Sequence, residues 1–304
     1  MSTNAFHNAL LDMLLIIDNI CQKHEIPYQL AAGTLLGAVR DQKIIDWDND
    51  ADVCMLRADY ERFMAVAEKE LDDRFFLQHH KSETHMYSLV SKLRLNGSRR
   101  YRPGRAVNSF VHEGISVDIF AFDEVKPELI AGKLHMTLCA LFKHLLTLRS
   151  FGDQQLIWKA HRPWFVKILA WLFYQPLRLP SKSRLMYWNY CIVTWYSMEK
   201  ELSRVSSNSS KFVTCLVSLP LSAKRRYPRI RKKSDFEQLT LGSLNGHIFP
   251  IPHNFHEVLT NLYGDYMSPL PEYKRDTQML VQFNQSTGID SKPDQSSDLI
   301  RSCK

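Results

Sequence analysis

The sequence predicts an α/β fold of the mixed α+β kind, and three observations indicate it. Helical and strand-like segments alternate along the first 125 residues. Polar and small apolar residues alternate at 50–53 before an apolar stretch, which is typical of a strand with one buried face. The chain has 304 residues, 45% of them hydrophobic, and this is enough to bury a sizeable core.

The N-terminal elements are predicted in the following order. Apolar residues at helical spacing indicate a helix over residues 5–24. Residues 27–36 are interpreted as a short apolar strand that is broken at Gly33 and Thr34. A strand that carries aspartates comes next, and Asp59 is expected to cap a helix that runs to about residue 71.

Further strands and a turn complete the predicted sheet. The predicted strands cover residues 75–79, 87–95 and 115–122. A turn at Asn96 and Gly97 separates the strand at 87–95 from a basic loop, and Asp123 is expected to cap the turn after the strand at 115–122.

Aspartates occupy every second position from 46 to 52, namely Asp46, Asp48, Asp50 and Asp52. On one face of an extended strand they would lie roughly 7 Å apart, and each neighbouring pair would repel by about 2 kcal/mol at an effective dielectric of about 20. Such a row requires a divalent cation, or some of its carboxylates must be protonated. A calcium-binding loop does not fit, because Val53 replaces the glycine of its sharp turn. Asp46 is interpreted as a turn or surface residue.

Four separated blocks, in the right order, resemble the signature of the LicD family. They are Gly33-Thr-Leu-Leu-Gly-Ala-Val-Arg40, Ile45-Asp-Trp-Asp-Asn-Asp-Ala-Asp-Val53, Gly114-Ile-Ser-Val-Asp-Ile-Phe-Ala-Phe-Asp123 and Leu262-Tyr-Gly-Asp-Tyr-Met-Ser-Pro-Leu-Pro271. The resemblance implies a nucleotidyltransferase-like sheet with an appended, mainly helical region. It also implies transfer of a phosphoalcohol, most often phosphocholine, from a CDP-linked donor such as CDP-choline to a sugar hydroxyl of a cell-surface glycan or lipopolysaccharide, with release of CMP.

The resemblance also assigns roles to individual carboxylates. Asp50, Asp52 and Asp118 correspond to the catalytic triad of carboxylates in nucleotidyltransferase-type sites. They would hold Mg²⁺ or Mn²⁺, since hard cations prefer carboxylate oxygens, and Asp118 is alternatively a base for the acceptor hydroxyl. Asp48 is either a further ligand or a residue that orients one.

Five residues are predicted to contact the donor phosphates: Gly33, Thr34, Arg40, Lys92 and Arg94. Gly33 and Thr34 would bring backbone N–H groups close to a phosphate. For Arg40 the alternative is a salt bridge to a nearby aspartate. Lys92 and Arg94 point the same way from one strand, and their alternative is a charged solvent face.

The remainder of the chain has a different character. We expect residues 1–125 to form the catalytic core, residues 126–284 a mainly helical region packed on it, and residues 285–304 a flexible tail. The Trp-rich segment from 129 to 221 predicts either buried helices or an interfacial amphipathic helix that touches lipid. Seven of the ten residues at 224–233 are basic, which favours contact with anionic lipid or glycolipid. The block at 262–271 is expected to be structural.

Several function classes do not fit the sequence. The six cysteines are scattered without a Cys-x-x-Cys pair, which argues against a zinc or disulfide framework. No nucleic-acid module accompanies the basic segment, so no nucleic-acid partner is expected. The start of the chain lacks the features of a secretory signal, and we expect a cytoplasmic protein with peripheral contact to the inner face of a bacterial membrane. Two functions other than phosphoalcohol transfer stay open: that of a true nucleotidyltransferase, and that of a non-catalytic protein that binds membranes or glycans.

Overall fold

The computed structural model describes residues 3–101, 111–154, 156–159, 162–197, 211–268, 271 and 280–283. The first half contains α1 (Thr3–Lys23), β1 (Gln29–Leu30), α2 (Ala32–Leu36), a π-helical turn (Gly37–Asp41), β2 (Ala51–Leu56), α3 (Arg57–Glu70), β3 (Phe75–Gln78), β4 (Ser91–Leu95), β5 (Ser98–Tyr101) and β6 (Ser116–Val125).

The second half begins with helices and ends with short strands. Its elements are α4 (Ile130–Asp153), α5 (Leu156–Lys159), α6 (Trp164–Leu177), α7 (Lys182–Val193), β7 (Phe212–Thr214), α8 (Ala223–Arg226), β8 (Arg231–Lys232), α9 (Ser234–Glu237), β9 (Leu239–Leu244), β10 (His247–Pro252), α10 (Phe255–Tyr263) and β11 (Leu280–Phe283).

A mixed seven-stranded sheet organises the molecule. Its strands follow the order β1-β2-β6-β4-β3, and β7 with β8 extends from the C-terminal part of β6. Strands β2 and β6 are parallel, whereas the other neighbours are antiparallel. The predicted α+β fold with a mixed sheet is therefore confirmed.

Two hydrophobic clusters pack on this sheet. The larger one joins α1, the strands and α3 to the β9–β10 hairpin and α10. Leu10, Leu14 and Ile17 show why α1 forms, because these positions at helical spacing are completely buried against the sheet. The second cluster lies between α4, α7 and the segment around Leu216. Residues beyond 126 thus contribute to both clusters.

The structure corrects several predicted boundaries. The strand predicted at 27–36 was wrong, because Ala32 takes a φ of 45° that turns the chain out of the extended conformation after β1. Gly33 and Thr34 consequently lie in α2 and not at a strand break. Asp59 does not cap α3, which begins two residues earlier; it pairs instead with Arg62 at 3.1 Å.

The strands that follow α3 also differ from their predicted limits. Strand β4 begins at Ser91 rather than at 87, and β6 continues to Val125. Asp123 therefore lies within a strand, where it is completely buried and accepts two hydrogen bonds from Arg57, both of 2.8 Å. Its role is structural, as expected, but it is an ion-pair partner and not a turn cap. The turn at Asn96 and Gly97 is confirmed, with a φ of 69° at the glycine.

Candidate functional site

Three neighbouring strands place charged side chains at one level of the sheet. Asp52 of β2 lies directly opposite Asp118 of β6, and Asp118 lies opposite Lys92 of β4. The Lys92 ammonium donates a hydrogen bond to Asp118 Oδ2, and the Ser116 hydroxyl donates to Oδ1 at 3.1 Å. The strand register thus brings together three of the residues that the sequence predicted for the site.

The chain that leads into β2 adds further carboxylates. Asp48 and Asp50 precede the strand, and the Asp48 N–H donates to the Ile45 carbonyl at 2.8 Å to close a turn. Asp46 lies in that turn, exposed to solvent and paired with Lys43 at 2.7 Å. A single extended face for all four aspartates was therefore wrong, because the turn directs Asp46 outward, as expected for a surface residue.

Helix α2 holds these aspartates in place. A Cβ atom on Gly33 would lie 2.2 Å from Asp48 Oδ2, so only glycine allows the carboxylate to approach the helix this closely. The Asp52 N–H donates to the Thr34 hydroxyl at 2.8 Å. The structure thus places Gly33 and Thr34 against the aspartates, and a contact of either residue with a phosphate remains a prediction.

The aspartates destabilise one another electrostatically. Burial and the charge of Asp50 raise the pKa of Asp48 to about 6, although hydrogen bonds from the Asn49 and Asp50 backbone oppose the shift. Burial raises the pKa of Asp52 well above its usual value, and the charges of Asp50, Asp118 and Asp48 add to this effect, whereas Lys92 opposes it. A site with this excess of negative charge favours a cation.

The chemistry of the cluster suits a hard divalent cation, because the side chains that raise one another's pKa are all carboxylates and such cations prefer oxygen ligands. Within the described ranges, however, no group of three or more His, Cys, Asp or Glu side chains is arranged to hold a metal ion. Lys92 is the cation that contacts Asp118.

Sequence analysis missed Arg100, which crosses the mouth of the site. Its Nη1 donates to the Asn49 carbonyl at 2.5 Å and lies 3.9 Å from Asp50 Oδ2, and its Nη2 donates to the Ser116 hydroxyl at 3.0 Å. The residue lies in β5, a short strand that the sequence predicted to be a basic loop. Its signal was the Arg99-Arg100 pair just after the Asn-Gly turn.

The other two predicted arginines are engaged within the fold. Arg40 donates two hydrogen bonds to Asp41, of 2.8 and 2.7 Å, and a longer one to the Tyr266 carbonyl. This is the salt bridge that the sequence left open as the alternative, and among the described residues Arg40 makes no hydrogen bond to the aspartate cluster. Arg94 is buried and donates to the Gln78 side chain and to the Gly114 carbonyl.

Burial and the nearby charge of Arg100 lower the pKa of Arg94 to about 10. The side chain is thus held between strands β3 and β4 and the entry to β6, and it is not on a solvent face. Phosphate binding by Arg40 and Arg94 remains a prediction.

Tyr263 of the C-terminal block lies within electrostatic reach of the aspartates. Burial and the charges of Asp52 and Asp48 raise the pKa of the Tyr263 hydroxyl, although the residue as a whole is 46% exposed. Gly264 ends α10 with a φ of 74°, and buried Tyr266 contacts His256 at 2.9 Å. The structural role that the sequence predicted for this block stays a prediction.

A cavity of about 250 Å³ lies next to the aspartates. Ala31 lines this cavity and donates its backbone N–H to the Asp52 carbonyl at 2.9 Å. The cavity therefore begins next to the strand residue that carries the Asp52 carboxylate. Its wall is mainly apolar, with charged groups at one side. The lining includes Leu35, Phe120, Phe122, Leu262, Arg229 and Glu257.

The basic segment at 224–233 is not one exposed patch. Arg226 and Arg231 are buried; the former donates to the Thr137 hydroxyl at 2.8 Å and the latter to the Gln29 side chain at 3.2 Å. Lys232 and Lys233 pair with Glu257 and Glu124. Lys224, Arg225 and Arg229 remain exposed.

Two comparisons with known proteins agree with this geometry. Residues 25–137 match the model of the LicD/FKTN/FKRP nucleotidyltransferase domain. The lipopolysaccharide cholinephosphotransferase LicD of Haemophilus influenzae is 24% identical over 267 residues, which cover 86% of this chain and 90% of that protein. The matched range contains β2, β4 and β6 with Asp52, Lys92 and Asp118. Together the two comparisons support membership of the LicD family, with residues 25–137 similar to its nucleotidyltransferase domain.

Proposed function

We propose that the protein transfers a phosphoalcohol, phosphocholine in the first place, from a CDP-linked donor to a sugar hydroxyl of lipopolysaccharide or a related cell-surface glycan. The observation that carries the proposal is the row of Asp52, Asp118 and Lys92 across three adjacent strands. The substrates are suggested by the similar protein from Haemophilus influenzae, which is named a lipopolysaccharide cholinephosphotransferase. A CDP-linked donor implies a reaction on the cytoplasmic side of the membrane.

In this proposal the aspartates hold Mg²⁺ or Mn²⁺. Asp50, Asp52 and Asp118 would be ligands, and Asp48 would be a fourth ligand or would orient one. When bound, the ion would neutralise charge on the donor phosphates and on the leaving CMP. The mutual repulsion that raises the pKa values of Asp48 and Asp52 supports this assignment, because a divalent cation would relieve it.

The chain's own residues would carry the transfer. The acceptor oxygen attacks the phosphorus that bears the alcohol, the bond from that phosphorus to the bridging oxygen breaks, and CMP leaves with the bridging oxygen. Asp118 would accept the proton of the acceptor hydroxyl where it does not serve as a metal ligand. Lys92 and Arg100 would balance charge on the donor phosphates, with Arg94 behind them.

The neighbouring cavity would receive the alcohol part of the donor. Its volume of about 250 Å³ suits a small head group, and the rings of Phe120 and Phe122 supply aromatic surface of the kind that a quaternary ammonium favours. Choline, ethanolamine, glycerol and ribitol are separated only by experiment.

The test is CMP release from CDP-choline, CDP-ethanolamine, CDP-glycerol and CDP-ribitol with Mg²⁺ and lipopolysaccharide as the acceptor. We expect one CDP-alcohol to be used, and Asp52→Asn or Asp118→Asn to lower the rate by about 10³-fold. The matched control is Asp46→Asn, which changes an exposed aspartate of the same run and should leave the rate unchanged.

Two results would contradict the proposal. One is transfer of the nucleotide itself to the acceptor, which indicates a nucleotidyltransferase. The other is full activity in a folded Asp52→Asn variant, which would place the chemistry elsewhere.

A further inference from the structure

The contacts that join helix α6 to α4 lie near the C-terminal end of α6. The Tyr174 hydroxyl donates to Asp153 at 2.8 Å, and Arg149 donates to the Leu177 carbonyl. The Tyr174 ring also packs where a Cβ on Gly152 would sit, so that α4 and α6 touch closely at this point. No residue of α6 is buried. The helix is thus fixed at one end while most of its surface faces solvent.

The exposed surface of α6 is strongly apolar. Its sequence, Trp-Phe-Val-Lys-Ile-Leu-Ala-Trp-Leu-Phe-Tyr-Gln-Pro-Leu, contains a single charged residue. A helix that is apolar all round is normally buried, and a large exposed apolar patch marks an interface. Trp158 of the adjoining α5 is 52% exposed, and its carbonyl accepts a hydrogen bond from Lys167 at 3.0 Å. We call Trp158 and the exposed residues of α6 the α6 face; its most exposed α6 members are Trp164, Phe165, Leu169, Leu172 and Phe173.

The charged residues that surround α6 in the sequence are of one sign. Between Asp153 and Glu199 the sequence has no acidic residue and six Lys or Arg residues. Arg162 and Arg178 flank the two ends of α6 and are exposed. An apolar stripe bordered by cations and rich in tryptophan has the composition of a helix that lies in the interface of an anionic bilayer.

The dimensions of α6 favour lying on a bilayer over crossing it. Its 14 residues span about 21 Å, whereas the hydrocarbon core is about 30 Å thick. In the part of the chain that the structure describes, no helix is long and apolar enough to cross a membrane. A second copy of the chain fits the face less well, because a symmetric contact would bring Arg162, Lys167 and Arg178 of each copy near those of the other.

We propose that the α6 face docks into the interfacial layer of an anionic membrane, with the axis of α6 parallel to the membrane plane. The tryptophan rings and leucines enter the acyl boundary, and the flanking arginines contact lipid phosphates. The inference stands apart from the proposed transferase activity, since it rests on the exposed helix and its charge.

Flotation of the purified full chain with vesicles tests the proposal without any activity assay. The vesicles are phosphatidylcholine alone and phosphatidylcholine mixed with phosphatidylglycerol. We expect binding to both, with tighter binding to the anionic mixture. Leu169→Glu combined with Leu172→Glu should weaken binding to the mixture by about 100-fold, because two buried leucines are lost.

Two controls separate the two parts of the interaction. Leu241→Glu with Ile248→Glu changes residues of the β9–β10 hairpin that are equally exposed, 71% and 55%, and should bind like the wild type. Arg162→Gln with Arg178→Gln should weaken binding to the anionic vesicles by about 10-fold or more and leave binding to phosphatidylcholine unchanged.

The proposal is overturned if the wild type does not float, or if the α6 pair and the hairpin pair behave alike. It is also overturned if light scattering shows a dimer without lipid that the α6 pair dissociates, since a second copy would then cover the face. Circular dichroism of each variant establishes that it is folded before flotation.

Discussion

The strand core and helix α6 differ in how far their side chains are satisfied by contacts within the protein. In the core, charged groups find partners inside the protein: Asp123 is completely buried and receives two hydrogen bonds from Arg57. On α6, apolar groups find no partner: Leu169 and Leu172 are each 54% exposed. The comparison teaches that the core is complete as it stands, whereas α6 retains a surface whose burial requires something outside the described fold.

The largest expected effect is on the free energy of unfolding, and it compares a buried ion pair of the core with an exposed leucine of α6. Arg57→Met leaves the Asp123 carboxylate buried without its cation, and we expect a loss of about 3–5 kcal/mol in the free energy of unfolding. Leu172→Gln on α6 should change the same quantity by less than about 0.5 kcal/mol, because its side chain is already exposed. Urea unfolding of both variants measures the difference. Equal destabilisation would mean that α6 is packed as firmly as the core.

A second prediction concerns the close packing of α2 on the aspartates. Gly33→Ala places a methyl group where Asp48 Oδ2 lies, so the carboxylate or the helix must shift. We expect a loss of about 1–3 kcal/mol in stability and, because the site is displaced, a fall of about 10- to 100-fold in transfer rate.

The matched experiment for Gly33→Ala is a double-mutant cycle with Asp48→Ala, read out as thermal stability. The second substitution removes the group with which the methyl collides, so it should recover most of the stability lost by the first. Strictly additive losses would show that the two residues do not touch.

The sequence predicted the site better where strand register alone positions a residue. Asp52, Asp118 and Lys92 come together because they occupy matching positions on paired strands, and alternation along each strand fixes the face on which they lie. The mixed α+β sheet followed from the order of the elements in the same way.

Strand alternation and element order do not predict residues that contacts between distant parts of the chain bring to the site. Arg100 reaches the Asn49 carbonyl from a strand that pairs with residues 280–283, and Tyr263 arrives from α10 at the other end of the chain. The local error at Gly33 had another cause: a positive φ at Ala32 has no signal in an alanine.

Long-range contacts also explain why the basic segment at 224–233 does not form one exposed cationic surface. A run of lysines and arginines predicts exposure only when no acidic partner folds against it. Glu124 and Glu257, each more than 20 residues away in sequence, pair with Lys233 and Lys232. The cationic surface that remains unopposed in sequence lies around α6, where acidic residues are absent from Asp153 to Glu199.

The smallest predicted effect tests whether the aspartate cluster, unlike the Arg57–Asp123 pair, keeps an unfavourable charge in the folded state. Burial and Asp50 raise the pKa of Asp48 to about 6, whereas the unfolded chain has an ordinary value of about 3.9. Ionised Asp48 therefore destabilises the folded state at pH 7, and this penalty fades as the pH falls through 6, because the folded state takes up a proton first.

Asp48→Asn keeps the shape and the acceptor for the Asn49 N–H but removes the charge. Without divalent cations we expect a melting temperature about 2–4 °C above that of the wild type at pH 7, a modest value because Asp48 is partly exposed. The difference should shrink as the pH falls below about 6 and vanish only below the ordinary aspartate pKa of about 4. With Mg²⁺ at pH 7 the order should reverse, since a ligand that binds only the folded wild type raises its stability. Asp46→Asn, at an exposed position, should show neither effect. A difference that is constant from pH 5 to pH 8 would show that the carboxylates are not strained, and the contrast with the Arg57–Asp123 pair would then fail at this point.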